Sequence, residues 1–576
     1  MANRVDTLLS RHQKLKQEKA VLNGIYSLIS EYVFNKKYNL AGTPNGGLFV
    51  DGDIYDNTGL RANSIMANVM VNNLWPNGPR TFRVKPTWDT ADTAENKEWF
   101  KWVNSQMYGV MDNSRAGLIT ALDEYMLDQG SYGISGVYVA ENDEDATCPV
   151  RYTAWDIKSM CVDEGPDGLI DTVFVEITMT IRNAVREYGL ENLGAKSQKA
   201  FIDGDVEEKI KILHVIEPRL ERNPKKFGVK DMPIASIHIE VNSRKIIKES
   251  GFEEMPVFVG RFIKVLGEKY GRSSAMIAMP DILEANATRE AISIATEKQL
   301  DPPLAVYDDG SLGAGTIETS AGAINVFSVS GRINNGRPIE PLYTIGELQS
   351  SYNHIETLKE AINNHFYLDR LLDFNNETRM TLGEAQLRNA LRGQSLGTFY
   401  ARQEMEVFTP LIKRTFNILL KRGLFGVLHN SFEELELLKQ GIRPIYIPDN
   451  IAQRILGGLD IYELEFISPA KRTMQSEELQ GTIETANFAV GVAPAVPEIL
   501  DNIDSDKMLR RIAKLSGADE DILKDMETVQ SLRKARAEQQ AQLMQLEQAR
   551  QQSEIGRNVA QINSMQNNSN NAGAVA

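Results

Sequence analysis

The acidic residues around position 51 come closest, in type and spacing, to a metal site. Within the run Asp51 to Asp56, Asp51 and Asp53 are spaced like the first two ligands of a calcium-binding loop. Such a loop needs Asp or Asn at its fifth position and glycine at its sixth, where this chain has Tyr55 and Asp56. Its twelfth position needs a bidentate glutamate, and the chain has Ala62 there. The pattern therefore favours a solvated acidic turn, and we expect neither a metal nor a cofactor.

Residue patterns for other chemistry are absent from the sequence. Nucleotide hydrolysis would need a phosphate-binding loop of the form GxxxxGK[ST], and the chain contains no such string. Residues 310–315 are rich in glycine but lack the lysine and a following helix signal, so we predict a turn. Cys148 and Cys161 form no CxxC pair, which argues against a disulfide framework and a thiolate zinc site.

Histidine spacing gives no better support for catalysis. The six histidines and the scattered acids form no nucleophile–base or metal pattern. We predict that His12, on an apolar helical stripe, is a packing residue, and that His214 and His238, inside strand-like runs, are half-buried strand residues. We therefore predict no catalytic residues and a protein that is not an enzyme.

Length and charge limit the remaining classes. A chain of 576 residues is long enough for about three or four domains, and 42% hydrophobic with 24% charged residues is typical of globular proteins. The net charge of -15 argues against tight wrapping of nucleic acid, although DNA could slide past such a surface. The N-terminus is a charged amphipathic helix and no apolar run reaches transmembrane length, so we expect synthesis in the cytosol.

The stretch 345–423 organises the chain, with a helix, a polar break and a longer helix. The first helix carries an apolar stripe at helical spacing, and residues 373–379 form the break. Thr381 and Glu384 fit a capping box at the start of the second helix. Helical spacing continues to residue 421 through Pro410, where we predict a kink.

The other segments predict an α+β protein. Residues 5–34 form an amphipathic helix with Lys and Arg opposite the apolar stripe, and helices follow over 59–73 and 94–129. Strand-like runs fill most of 150–262, with a hairpin at 165–168. A helix with Pro280 in its first turn runs to residue 300, and a β-insertion fills 301–343.

Seven segments in order resemble the portal, or head-to-tail connector, proteins of short-tailed bacteriophages. Each is weak alone, but together they span roughly residues 60–472. The segments are residues 74–83, 133–139, 270–276, 301–304, 380–385, 408–418 and 466–470.

This resemblance implies a portal fold and a ring of about twelve subunits, closed by heterologous contacts at one capsid vertex. It implies an N-terminal helix and α+β wing at 1–265, two stem helices at 266–300 and 346–372, and a clip between them at 301–345. It also implies a tunnel loop at 373–381, a wing with the long kinked helix at 382–470, and a crown with a helical C-terminal barrel or tail at 471–576.

The same resemblance implies a function and partners. The ring would be the channel for genome packaging and ejection in the virion, at the head–tail junction. Double-stranded DNA would pass through it, while the terminase large subunit and later the tail adaptor or nozzle proteins dock on it. Major capsid and scaffolding proteins would surround the ring, and no membrane is involved. An internal scaffold or an ejected core protein is the alternative, because it would share the long helices and the acidity.

The tunnel loop supplies the predicted site residues, which are Asn375, Asn376, Glu377, Thr378 and Arg379. Arg379 either touches DNA phosphates transiently or pairs with Glu377 or a neighbouring subunit. Beyond residue 521 a Gln-rich run keeps near-heptad apolar spacing, which fits either a parallel helical barrel or a free helix. The last residues, 567–576, have the composition of disorder.

Overall fold

Helices and strands alternate along the chain, as its two hydrophobic periodicities predict. A computed structural model describes residues 2–34, 54–76, 81–87, 93–145, 147–223, 228–308, 317–328, 339–371, 396–428, 434, 439, 445–467, 476–494, 496–516, 523–524 and 526–572. They fall into two units, Met1–Met474 and Gln475–Ala576. Among the described residues, no helix has both the length and the apolar character needed to cross a membrane.

The described α-helices of the first unit are α1 Ala2–Ala20, α2 Asn23–Tyr32, α3 Thr58–Leu74, α4 Ala94–Met111, α5 Leu118–Tyr132, α6 Ile181–Tyr188, α7 Ala195–Asp203, α8 Ser274–Leu300, α9 Gln349–His365, α10 Leu368–Leu371, α11 Thr409–Lys421 and α12 Asp449–Leu456. A π-helical turn, Glu404–Phe408, precedes α11, and residues 396–403 before it are helical.

The strands are β1 Phe82–Pro86, β2 Ile134–Glu141, β3 Val150–Trp155, β4 Met160–Glu164, β5 Ile170–Thr180, β6 Lys209–Pro218, β7 Ile234–Glu240, β8 Lys245–Phe252, β9 Val257–Arg261, β10 Leu304–Asp308, β11 Ile324–Ser328, β12 Ile339–Pro341 and β13 Tyr462–Phe466. The chain is thus a mixture of helix and sheet, as the sequence predicts.

The largest sheet is an antiparallel meander of five strands in the order β4-β5-β6-β7-β8. The predicted hairpin at 165–168 joins β4 to β5, and Gly168 takes a positive φ of 74° there, which favours glycine. Helix α1 packs on the sheet through Val5, Leu8 and Leu15, which share a core with Phe174. The sheet therefore holds the N-terminal helix by burying its apolar stripe.

A second sheet, β3-β2-β9, lies in the main hydrophobic core with the surrounding helices. Strand β1 pairs with β13 in antiparallel register, Phe82 opposite Phe466, so segments far apart in sequence close the same core. A third sheet, β11-β10-β12, connects α8 to α9. In it β10 pairs with β11 in parallel and with β12 in antiparallel fashion.

The second unit is helical in its described part. It contains α13 Ser476–Val492, a 3₁₀ turn Pro497–Asn502, α14 Ser505–Ser516 and α15 Met526–Ala572. Two ion pairs connect these helices, Arg511 with Glu478 and Arg533 Nη1 with Asp506 at 2.6 Å. Helix α15 continues through Ala572, so the prediction of disorder from residue 567 is wrong as far as that residue. No glycine or proline follows Gly556 before Ala572, so nothing there stops a helix.

Two predicted helices are each divided in the structure. Residues 5–34 form α1 and α2, because the Leu22 N–H donates to the Lys19 carbonyl at 2.9 Å and Asn23 and Gly24 are poor helix formers. Lys19, predicted to face solvent, is buried. Residues 94–129 divide into α4, which ends at Met111, and α5, which begins at Leu118 directly after Gly117 with its non-helical φ of 73°.

The position of Pro280 within α8 differs from the predicted one. The sequence predicts Pro280 in the first turn, but the helix begins earlier, because the Ser273 hydroxyl accepts the Met276 N–H at 3.0 Å and caps it. Pro280 therefore lies inside the helix, where it cannot donate to a carbonyl of the preceding turn. The predicted end of the helix at residue 300 is confirmed.

Two stacked histidines bridge β6 and β7. The rings of His214 and His238 lie 3.9 Å apart between centroids, and His214 Nε2 lies 2.9 Å from the Ser236 hydroxyl. The prediction that both pack within strands is confirmed. Burial lowers the pKa of His214, with smaller contributions from His238 and Lys248, and burial lowers the pKa of His238 to about 4.

We expect this pair to make the sheet sensitive to acid. An unfolded histidine gains a proton near pH 6.5, whereas folded His238 stays neutral until about pH 4, so stability is lost as pH falls between these values. Replacing His238→Gln should reduce that loss by about 3 kcal/mol, measured by urea unfolding at several pH values. Variant His354→Gln, at an exposed helical histidine, is the control. An identical pH profile in His238→Gln and wild type would contradict this prediction.

Candidate functional site

The five predicted DNA-facing residues belong to a segment that starts after α10 and ends before the helical residues 396–403. Asn375, Asn376, Glu377, Thr378 and Arg379 all lie outside the described residues, as does the predicted capping box at 381–384. Their role stays a prediction. The structure describes the two ends of this segment and the elements that hold them.

Both ends of the segment meet at one aromatic side chain. The buried ring of Phe262 lies 6.2 Å from Tyr367, before the segment, and 4.8 Å from Phe399, after it, between ring centroids. Arg402 also donates to the Phe262 carbonyl at 3.2 Å. The described residues on the two sides of the segment therefore lie close together, just beyond β9.

The buried guanidinium of Arg261 fixes the re-entering helix to the sheet. Its Nη2 lies 2.6 Å from Glu406 Oε1, and its backbone N–H donates to the same carboxylate at 2.9 Å. On its other side Nη1 pairs with Glu164, and Nη2 donates to the Gly168 carbonyl at 2.8 Å. The Arg261 side chain is only 1% exposed, so these partners replace the water it gives up.

Glu406 reaches this position because of the π-helical turn. The Thr409 N–H donates to the Glu404 carbonyl, a bond one residue longer than an α-helical one. The next residue, Pro410, has no N–H to continue an α-helical ladder. A π-turn thus directly precedes the proline at which a kink is predicted, and Glu406 enters the core within that turn.

Buried polar groups lock the same helix from a second side. Gln403 donates from Nε2 to the Arg261 carbonyl at 3.1 Å, and Gln129 Nε2 donates to the Tyr125 hydroxyl at 3.0 Å. A Cβ at Gly260 would come within 2.0 Å of the Tyr125 hydroxyl, so only glycine fits there. Burial, with the nearby Glu406 carboxylate, raises the pKa of Tyr125 well above its ordinary value. Tyr125 is thus a neutral structural group.

The start of α8 is anchored where α5 ends. Ser273 donates its hydroxyl to the Ser131 carbonyl at 2.6 Å while it caps α8. Gly133 follows α5 with a φ of 77°. It passes so close to Gly271 that a Cβ on Gly133 would lie 2.4 Å from the Gly271 carbonyl oxygen. The Tyr-Gly-Arg-Ser-Ser segment that begins at Tyr270 therefore fixes the direction in which α8 leaves the core.

Helices α8 and α9 pack together and carry histidine–carboxylate pairs. His365 Nε2 lies 3.1 Å from Asp281 Oδ2, and His354 Nε2 lies 3.0 Å from Glu284 Oε1. Ile355, Leu358 and Ile362 of the predicted α9 stripe are buried. With 27 residues, α8 is about 40 Å long, and beyond residue 286 only Ile292 is buried. The second half of α8 thus extends away from the core.

The part of the chain that the structure describes contains no group of three or more His, Cys, Asp or Glu side chains able to hold a metal. Asp51 and Asp53 of the calcium-like motif lie outside that part. Within it, Asp56 Oδ1 accepts the Thr58 N–H at 2.9 Å, a turn contact.

The sequence analysis missed the Arg261 network entirely. An arginine that ends an apolar strand, and Glu406 directly before Val407 and Phe408, were the available signals. A charge in such a position is rarely buried without a partner. Pairing Arg261 with Glu406 nevertheless needs the tertiary fold, because 145 residues separate the two.

We expect Glu406→Gln to destabilise the first unit. The variant removes a charged partner of the buried Arg261 guanidinium. This loss should lower the free energy of unfolding by about 3 kcal/mol, measured by urea titration. Glu356→Gln, which breaks an exposed pair with Lys359, is the matched control and should cost less than about 1 kcal/mol. Equal losses in the two variants would show that the Arg261 network does not hold this helix.

Comparisons with known proteins agree with the sequence motifs. The family described as bacteriophage head to tail connecting protein matches residues 5–523. The chain is similar to the portal protein of Salmonella phage epsilon15, at 25% identity over 94% of this chain and 93% of that one. It is also similar to the probable portal protein of Bordetella phage BPP-1, at 24% identity over 92% and 91% of the two chains.

The chain was also aligned with a solved chain from the virion of a native gene transfer agent particle. The alignment covers 73% of this chain and 94% of the solved chain. Its 12% identity and TM-score of 0.31 are too low to support an argument about fold. The family match spans most of the sequence and confirms the resemblance seen in the motifs. This chain belongs to the family of bacteriophage head-to-tail connecting proteins.

Proposed function

We propose that this chain is the subunit of a phage portal, a ring of about twelve copies at one capsid vertex. The genome enters the head and leaves it through the axial channel of that ring. The observation that carries the proposal is the arrangement of α8 and α9, which are joined by a small sheet and followed by a segment anchored at both ends on Phe262. The family match supports the same assignment.

In this proposal each part of the chain has a position in the ring. Residues 266–300 and 346–372 are the stem helices, and 301–345, with β10–β12, form the clip that docks the terminase large subunit and later the tail adaptors. Residues 373–381 are the tunnel loop, with Asn375, Asn376, Glu377, Thr378 and Arg379 facing the DNA. Residues 1–265 and 382–470 form the wing, beside the major capsid and scaffolding proteins, and 471–576 the crown.

The exposed half of α8 is the surface that most needs a neighbouring subunit. Ile294 and Leu300 are large apolar side chains there that are 44% and 82% exposed. A neighbour packing on this helix would remove them from water, at about 25 cal/mol for each Å² buried. Two different faces of each subunit then meet around the ring, which is a heterologous contact that closes by rotation.

The net charge of the chain suits a channel through which DNA moves better than a surface that holds DNA tightly. The net charge of -15 leaves little positive field to hold phosphates, so duplex DNA would pass with low friction. The subunit itself performs no catalysis in this proposal, and a separate motor supplies the mechanical work. The ring then belongs to the virion, at the junction of head and tail.

We expect the purified full-length chain to form closed rings. Native mass by light scattering should correspond to about twelve subunits, and negative-stain images should show a central hole of roughly 20 Å, the diameter of duplex DNA. If only monomers form, adding scaffolding protein should nucleate the rings. A filament or a compact dimer without a hole would contradict the proposal and favour an internal scaffold.

We also expect α15 to associate in the ring. Its apolar side chains Leu543, Leu546, Ile555, Val559 and Ile562 are all half exposed or more, and an isolated helix of this kind gains stability from partners. Leu543→Gln combined with Leu546→Gln should therefore lower the melting temperature of the assembled ring by several degrees.

The matched control replaces two polar neighbours, Gln542→Asn and Gln545→Asn, and should leave the melting temperature nearly unchanged. If both double variants melt like wild type, α15 is a free helix and not part of a barrel.

A further inference from the structure

A basic cavity of about 370 Å³ lies between the N-terminal helices and the five-stranded sheet. Its walls come from α1, α2, the end of α5, residues 157–159 and strands β4–β6. The charged side chains that line it are Lys16, Lys19, Lys158, Lys211 and Glu176. A single carboxylate therefore faces four ammonium groups, in a protein whose total charge is strongly negative.

Two of the residues that line this cavity each carry a buried polar atom that lacks a hydrogen-bond partner among the described residues. These atoms are the hydroxyl of Tyr26 and Nε2 of His12. Tyr26 is 5% exposed and His12 is 7% exposed. The nearest acid to His12, Glu176, lies 3.8 Å away, which is too long for a hydrogen bond. An unpaired buried polar group is costly, so these two atoms call for a ligand or a bound water.

Among the described residues that line the cavity, lysines outnumber carboxylates by four to one. Lys16 Nζ lies 2.8 Å from Glu176 Oε1, so these two side chains form an ion pair. Lys19 Nζ, which is buried, lies against backbone carbonyls, among them those of Met160 at 2.8 Å and Lys158 at 3.1 Å. Burial lowers the pKa of Lys19, because carbonyl dipoles compensate its charge less well than water does. An anion in the cavity would relieve this desolvation.

We propose that the cavity binds a small, multiply charged anion of the phosphate class. Lysines act as flexible point charges toward phosphate oxygens, and Tyr26 adds an O–H donor from the buried side. The cavity volume lies within the range of small-molecule sites. Phosphates of a DNA duplex fit less well, because the polar atoms that need partners are buried.

The bound anion would join elements that the apolar core connects only in part. It would contact α1 and α2 from one side, and residues 157–159 with β5 and β6 from the other. Helix α1 already lies on the sheet through Val5, Leu8 and Leu15. Anion binding would therefore hold the N-terminal helices more firmly against the wing sheet, and should slow proteolysis near Val21, which is exposed between α1 and α2.

The test is calorimetric titration of the full-length protein with sodium pyrophosphate, at low and at high salt. We expect saturable binding of one anion per chain that weakens as salt rises. Lys158→Gln and Lys211→Gln should each weaken binding by about fivefold. Lys196→Gln, at an exposed lysine outside the cavity, is the matched control and should bind like wild type.

Tyr26→Phe separates ligand binding from folding. It removes only a hydroxyl that has no partner, so the melting temperature without pyrophosphate should stay the same or rise. Pyrophosphate affinity should nevertheless fall by about fivefold, because a buried donor is lost.

Three results would overturn the proposal. The first is no saturable binding of pyrophosphate, which would leave the polar atoms to water. The second is equal binding by all four variants, and the third is a short DNA duplex that competes at lower concentration through the same lysines. None of these results bears on ring formation, so this proposal and the portal assignment fail separately.

Discussion

The burial of Arg261 is the constraint on which the first unit depends. A guanidinium that is almost wholly removed from water must find charged and polar partners with good geometry. Those partners come from distant segments: Glu164 at the end of β4, the Gly168 carbonyl in the following hairpin, and Glu406 in the π-turn. Because one side chain needs all three, the five-stranded sheet, strand β9 and the helical segment that contains Glu406 must be placed together.

This constraint adjoins the described residues that flank the segment assigned to the channel by the family resemblance. Phe262 follows Arg261 in sequence and contacts aromatic rings at both ends of the segment. Gln403 and Glu406 hold the returning helix on the same strand. The segment therefore starts and ends on a rigid base, while the exposed half of α8 and the apolar face of α15 present surfaces that an assembly could cover.

Much of the fold could be predicted from the sequence, because its signals are local. Helical spacing located α3 and α9, alternation located strands between residues 150 and 262, and the glycines at 165–168 located a hairpin. The errors came where a local pattern has two readings. An amphipathic stripe continues through a break such as Leu22, and a proline is tolerated within a helix as well as at its start, as Pro280 shows. Of the candidate site, the sequence indicated the segment and the order of its neighbouring elements, but not the side chains that anchor it.

The sequence alone determined the class of the protein. Composition, the order of helices and strands, and seven short motifs were sufficient, because family membership depends on features that lie along the chain. Only the tertiary structure decided which charges are buried. Nothing in the sequence distinguishes these residues. Arg261 and Glu406 form a network, and the lysines line a cavity with Tyr26 and His12, only when remote segments meet. The physical reason is that desolvation depends on every neighbour in space, whereas periodicity depends only on neighbours in the chain.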